Sequence, residues 1–236
     1  MTPTAGDLPR VPGTIAAAWI IARKDLAIEF RTRSAFLSAL VLSLLSIVIF
    51  FFAWDPTAVG PLDLAPGVLW VTFTFSGLLG MHRSFGVESH DAAMDALLIA
   101  PVPREAIFLG KALANLVFVL GVQAVALPAV ALFYNLPIGS SFLALAGVML
   151  LAAIGLVAVG TMFAGMTANT RMAELLLPVL ALPFFVPIVM PAAQATARLL
   201  AGRPVTDTFA WLRILLAFDL VFVWACALLF PLTLDD

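Results

Sequence analysis

The run AFLSALVLSLLSIVIFFFAW, residues 35–54, decides the fold class of this chain. It contains no charged residue, and it matches the about 20 residues that a helix needs to cross a bilayer. The whole chain is 63% hydrophobic and 11% charged, with a mean hydropathy of +1.12. Soluble domains carry about 45–50% apolar and about 25% charged residues. We therefore predict an all-α, polytopic integral membrane protein.

Five further apolar runs have membrane-spanning length, which predicts six transmembrane helices. With the N-terminus in the cytoplasm, nine of the twelve lysines and arginines fall on the cytoplasmic side. This bias predicts that both termini lie in the cytoplasm. We expect a flexible cytoplasmic leader at 1–13 and a single membrane domain at 14–236. The six spans are predicted at 35–54, 65–82, 106–133, 142–166, 175–193 and 210–232.

The segment 14–33, TIAAAWIIARKDLAIEFRTR, predicts an amphipathic helix that lies on the membrane before the first span. Its apolar side chains recur at helical spacing. Thr14 is a suitable N-cap, and Glu29 stands one turn before Arg33. The helix is either a simple anchor or an elbow that also contacts a partner protein. The apolar stripe consists of Ile15, Trp19, Ala22, Leu26 and Phe30.

A charged island interrupts the apolar runs at 83–111, RSFGVESHDAAMDALLIAPVPREAIFLGK. On a helix, Glu88, Asp91 and Asp95 share one face beside an apolar arc. Pro101 and Pro103 end such a helix, because each lacks an N–H and restricts the preceding residue. The loop 83–104 is therefore either a docking surface for a cytosolic partner or a solvated loop helix.

No pattern for catalysis or for a resident cofactor is present. The chain lacks GxxxxGK[ST], HExxH and GxSxG, so it has no phosphate-binding P-loop and no zinc-protease or hydrolase motif. Cys226 is the only cysteine, which excludes an internal disulfide. We predict no metal site, and no dense basic patch suggests nucleic acid. A non-catalytic membrane subunit is expected, whose energy or chemistry comes from a partner protein.

Several polar side chains fall inside the predicted spans. Lys111, Asn115 and Gln123 follow near-helical spacing, which predicts an interior or interfacial polar stripe. Asp219 lies deep in the last span, where an exposed carboxylate is unfavourable, so it should face protein or a water cavity. It is open whether Asp219 serves structural pairing, a subunit contact or a function; our working hypothesis is a subunit interface.

The fourth and fifth spans have unusual composition. Glycines 147, 155 and 160 predict close helix packing in the fourth. Four prolines in the fifth favour either a kinked span or two half-helices. A short outer helix is expected at 192–201. Near it, Arg198 and Arg203 either meet an acidic partner or are charges beside lipid headgroups.

The loop carries a recognisable pattern. Phe85-x-x-Glu88, Leu97-Leu98-x-Ala100-Pro101-x-Pro103 and Lys111 resemble the haem exporter protein B family (CcmB). The Arg23-Lys24-Asp25-Leu26 entrance and the segment 112–116 are also similar to that family. One departure is Ala92-Ala93-Met94-Asp95, where the family commonly has a Gly-x-Leu-Glu turn.

The resemblance implies a permease subunit of an ABC transporter complex in cytochrome c maturation. Its partners would be an ATP-binding subunit (CcmA), haem-handling membrane subunits (CcmC and CcmD) and a haem chaperone (CcmE). Haem would be handled by the complex, and its propionates could meet Arg198 and Arg203. ATP would bind to the partner and be hydrolysed there, and two copies of this chain would pair. Residues 84–100 would dock on the ATPase. The alternative is an ABC-2-type exporter permease for another substrate, such as a lipid or drug.

Overall fold

A computed structural model describes residues 13–90, 102–168, 170 and 172–233 of the chain. The described part is helical, with short 3-10 turns at Gly139–Ser141 and Val205–Thr208. The predicted leader lies outside it, apart from Gly13. The helices are α1 Thr14–Thr32, α2 Ser34–Ala53, α3 Pro61–His90, α4 Arg104–Tyr134, α5 Phe142–Thr167, α6 Ala173–Leu200 and α7 Phe209–Thr233.

Helices α2 to α7 are each long and apolar enough to cross a membrane, which confirms the six predicted spans within the described residues. The most apolar windows of α3 and α5 are 72% and 56% buried, whereas those of α2 and α7 are 22% buried. Helices α3 and α5 therefore form the centre of the bundle, and α2 and α7 lie at its edge. The bundle exposes apolar side chains such as Val41, Phe52 and Trp224, as a lipid-facing surface requires.

Helix α3 is longer than the sequence predicts. The expected span ended at residue 82 and the loop began at 83, but the helix runs without interruption to His90. No proline lies between residues 83 and 90, so nothing there removes a backbone hydrogen bond. The start of the predicted loop 83–104 is therefore the end of a membrane helix.

The prediction of a separate outer helix at 192–201 is wrong, as is the alternative of two half-helices in the fifth span. Helix α6 is continuous from Ala173 to Leu200, with all four of its prolines inside. Buried contacts of Phe185, Ile188 and Ala192 hold it against the core. In a membrane, packed neighbours allow a helix to tolerate the hydrogen bonds that proline removes.

Helix α1 packs on α4, while Ile15, Trp19 and Phe30 remain exposed for contact with lipid. Its N-cap is Gly13 without a side-chain hydrogen bond, so the prediction that Thr14 caps the helix is wrong. The Ala17 N–H donates to the Gly13 carbonyl, which closes the first turn one residue earlier.

A single residue, Arg33, joins α1 to α2 in the left-handed conformation, with φ of 56°. Glu29 does not pair with Arg33, although its spacing of one helical turn predicts that pair. Its carboxylate accepts a hydrogen bond of 2.8 Å from the Phe36 N–H. A carboxylate at a helix N-terminus satisfies an otherwise unpaired N–H and interacts favourably with the helix dipole. Glu29 therefore caps α2 from the last turn of α1.

The connection between α2 and α3 is ordered by Asp55. One of its carboxylate oxygens accepts hydrogen bonds from the Thr57 N–H, at 2.8 Å, and from the Thr57 hydroxyl, at 2.7 Å. These bonds favour the charged form, and they lower the pKa of Asp55 below its ordinary value. Trp54 donates to the Val59 carbonyl at 2.9 Å and completes this loop.

Candidate coupling site

The most distinctive polar contact in the bundle is made by Lys111 of α4. Its side chain is fully buried. The ammonium lies 3.3 Å from an Asp25 carboxylate oxygen of α1 and donates to the Ser84 carbonyl of α3 at 3.2 Å. The other Asp25 oxygen lies 3.0 Å from the Lys24 ammonium. We call Lys111, Asp25 and Ser84 the clamp, because they join three helices at one point.

The packing of α1 on α4 makes the clamp possible. A Cβ atom added to Gly110 would lie 2.7 Å from the Ala18 carbonyl oxygen and 2.7 Å from the Ile21 Cβ. Ala17 and Ala106 are also buried at this contact. Small residues let two backbones approach closely. This close packing brings Asp25 next to Lys111, which lies two turns after the first residue of α4.

Two further polar residues of α4 also lie inside the bundle. The Asn115 amide donates to the Thr161 hydroxyl of α5 at 3.0 Å. Gln123 is 1% exposed, and neither of its amide atoms has a hydrogen-bond partner in the described part of the chain. Lys111, Asn115 and Gln123 thus form an interior stripe, and Lys111 lies inside the protein rather than on a docking surface.

Asp219 of α7 also points inward. It is 4% exposed, and within the described residues neither carboxylate oxygen has a hydrogen-bond partner. The carboxyl lies against Gly155 of α5, so closely that a Cβ on Gly155 would collide with it. The hypothesis that Asp219 faces a subunit interface is therefore wrong for this structure, and Asp219 makes no hydrogen bond to the polar stripe of α4.

A cavity of about 900 Å³ lies beside the clamp, between α1, α2, α3, α4 and α6. Its polar end contains Asp25, Glu29, His82 and Arg83. The remaining wall is mostly apolar and includes Phe75, Leu78, Phe118 and Leu177. Its size and its separation of polar from apolar lining suit an amphiphilic ligand.

The predicted docking segment is described only at its ends. The backbone of Phe85 and Glu88 forms the last turns of α3. Pro103 is the N-cap of α4, and the Ala106 N–H donates to its carbonyl at 2.9 Å. Helix α3 therefore continues for six residues beyond Ser84 to His90, and α4 begins two turns before Lys111. Asp91, Asp95, Leu97, Leu98 and Pro101 lie outside the described residues.

The two arginines at the other end of the bundle lie close together in the chain and differ in their contacts. The Arg198 guanidinium donates to the backbone and side chain of Gln194 and lies 5.1 Å from the centre of the Trp211 ring. Such a cation–π contact stabilises the connection between α6 and α7. Arg203 is exposed. Its backbone N–H donates to the Arg198 carbonyl at 3.1 Å.

Sequence reasoning missed the partners of the polar residues rather than the residues themselves. Asp25 lies 86 positions before Lys111, and no local pattern indicates that the two meet. The Gly110-Lys111 pair was one available signal, because a glycine beside a buried polar residue permits a close helix contact. Ser84 contributes only its carbonyl, which carries no signal in the side-chain pattern.

Comparisons with known proteins agree on one family. The family described as CcmB protein matches residues 16–234. Heme exporter protein B from Paracoccus denitrificans is 32% identical over 76% of this chain and 82% of its own length. The protein of the same name from Rhodobacter capsulatus is 30% identical over 80% of this chain and 86% of its own length. That from Pseudomonas aeruginosa is 27% identical over 85% and 90%.

Proposed function

Because this chain belongs to the CcmB protein family, we propose that it is the membrane permease subunit of an ABC transporter complex in cytochrome c maturation. Its relatives carry the name heme exporter protein B. The proposed task is haem export or release of a haem-loaded chaperone, with haem as a ligand handled by the complex. The subunit is non-catalytic and lies in the inner membrane with both termini in the cytoplasm.

The proposed partners follow from this role. A CcmA-like subunit binds and hydrolyses ATP, and CcmC-like and CcmD-like membrane subunits handle haem. A CcmE-like chaperone receives it, and two copies of the present chain pair around the ATPase dimer. The sequence supports the division of labour, because it lacks the P-loop that ATP hydrolysis of this kind requires.

The clamp is the structural feature that gives the proposal its strongest support. The Ser84 carbonyl accepts a hydrogen bond from Lys111. Ser84 is the first residue of the docking segment 84–100 and lies in the last turns of α3. Lys111 also holds Asp25 of α1, so displacement of the end of α3 acts on α1 and α4 together. Buried ion pairs lose much of their stability when their geometry changes, because desolvated charges are no longer compensated. ATP-driven movement of the docking segment would therefore be transmitted to three helices.

The test is co-purification with the candidate ATP-binding subunit, combined with a measurement of the ATPase rate. We expect stable association for the wild type and its loss in Glu88→Lys/Asp91→Lys/Asp95→Lys, since the substitutions reverse the acidic face. The matched control, Asp63→Lys/Asp207→Lys, reverses exposed acids on the opposite side and should retain association. If the wild type does not associate, the proposal fails.

The cavity favours one alternative, an ABC-2-type exporter permease for a lipid or drug. Its polar end and apolar wall match an amphiphile better than a small ion. The two functions differ in what stimulates ATP hydrolysis by the assembled complex. Stimulation by the haem chaperone supports the maturation role, whereas stimulation by lipids or amphiphilic drugs alone supports the alternative.

A further inference from the structure

Asp219 has an environment that the proposed function does not explain. It is the eleventh residue of α7, about 15 Å along the helix from its first residue. Its side chain is buried, and both oxygens lack a partner in the part of the chain that the structure describes. Buried ionised groups are normally paired, because an isolated charge away from water is strongly unfavourable.

The surface that Asp219 faces is the middle of α5. Gly155 is far from both ends of that helix, so its neighbouring N–H groups are engaged in hydrogen bonds within the helix. Gly155 has no side chain, and the Asp219 carboxyl and Ile188 of α6 fill the resulting notch. What α5 presents there is apolar surface and carbonyl oxygens, which can only accept hydrogen bonds.

An ionised carboxylate is unsuited to this surface, because it can only accept hydrogen bonds as well. A protonated carboxylic acid has an O–H group and can donate it to a helix carbonyl. It also carries no net charge into the apolar centre of the bundle. The notch therefore discriminates between the two states of Asp219 in favour of the protonated one.

Among the described residues, no compensating cation approaches Asp219 from the elements packed against α7. Helix α5 contains no ionisable residue. Lys111 is bound to Asp25 and Ser84, and on α7 itself Arg213 is exposed while Cys226 is buried. The other ionisable residues of these elements lie near the helix ends: Arg104, Glu105 and Tyr134 of α4, Glu174 and Arg198 of α6, and Asp207 in the turn before α7.

We infer that Asp219 is a proton-binding site, occupied while α7 is closed on α5. Separation of the two helices admits water, and the carboxyl then releases its proton and ionises. Closure reverses this step and takes up one proton per chain. The inference concerns contacts within this chain and does not depend on the cargo or on the ATP-binding partner.

Infrared spectroscopy of the purified protein at pH 6, where exposed carboxylates are still ionised, tests the inference directly. A protonated carboxylic acid has a C=O stretching band that is separate from the bands of carboxylates. We expect the wild type minus Asp219→Asn difference spectrum to show the acid band, and the same subtraction for the exposed Asp207→Asn to show carboxylate bands. Carboxylate bands in the Asp219→Asn difference, or an acid band that persists in that variant, would overturn the inference.

A second variant covers the case in which Asp219→Asn does not fold. Gly155→Ala fills the notch and forces the carboxyl away from α5. It should weaken or shift the acid band of an otherwise intact protein. The wild-type spectrum is informative alone, because absence of any acid band at pH 6 would also overturn the inference.

Discussion

Replacement of Asp25 by asparagine removes the carboxylate of the clamp while it retains the size of the side chain. Breaking a buried ion pair costs about 3–5 kcal/mol. We expect the lower end, about 3 kcal/mol, because Lys111 keeps the Ser84 carbonyl as an acceptor at 3.2 Å and the asparagine amide oxygen can still accept. For a chain of this size, that loss lowers the melting temperature by about 6–12 °C.

A double-mutant cycle measures the interaction between Asp25 and Lys111 directly. Lys111→Met should cost about 1–3 kcal/mol, since the Ser84 carbonyl loses a buried donor. The double variant Asp25→Asn/Lys111→Met should cost less than the sum of the single variants, because it leaves no uncompensated charge. Lys24→Met is the matched control: its side chain is 39% exposed, so its loss should cost under about 1 kcal/mol.

The assay is reversible unfolding of the purified protein in mixed micelles, followed by helical circular dichroism. Additivity of the two clamp substitutions within about 0.5 kcal/mol would refute the reasoning, since residues that do not interact are additive to that extent. A cost for Lys24→Met equal to that for Asp25→Asn would show that exposed charge, rather than the buried contact, determines stability.

Two other predictions concern packing and orientation. Gly110→Val should destabilise the protein by about 1–3 kcal/mol in the same unfolding assay, because its Cβ meets the backbone of α1; Gly147→Ala, with open space around it, should be tolerated, and equal losses for both would contradict the close contact. In intact cells, a membrane-impermeant thiol reagent should label Ala58→Cys, while Glu105→Cys should react only after permeabilisation. The native Cys226 is buried and should stay silent; the reverse labelling pattern would invert the topology.

The number and place of the membrane helices were predictable because a bilayer demands them. Every backbone polar group in hydrocarbon must be paired within its own helix, so long apolar runs such as 35–54 have few alternatives. The extension of α3 to His90 and the continuity of α6 were harder to predict. The first depends on the absence of a helix-ending residue, and the second on neighbours that compensate for four prolines.

The candidate site was predictable as a set of residues and unpredictable as a set of contacts. Spacing along one helix brings Lys111, Asn115 and Gln123 to one side, but it does not say which side faces the interior. The contacts of Lys111 with Asp25 and of Asp219 with Gly155 arise between helices far apart in the chain. Both depend on glycines: Gly110 lets the backbones of α1 and α4 come close, and Gly155 leaves the notch that the Asp219 carboxyl fills. Such contacts are a property of packing in three dimensions.

The conformation of Arg33 has a consequence for the shape of the whole molecule. If this one residue adopted right-handed helical angles, α1 and α2 would merge into a single rod about 60 Å long that projects out of the bilayer. The left-handed conformation of Arg33 instead ends α1 and starts α2 in a new direction. It costs about 1–2 kcal/mol for a residue with a side chain. The Glu29 bond to the Phe36 N–H opposes that cost. A single backbone rotation thus separates a short helix that packs against α4 from one long continuous helix.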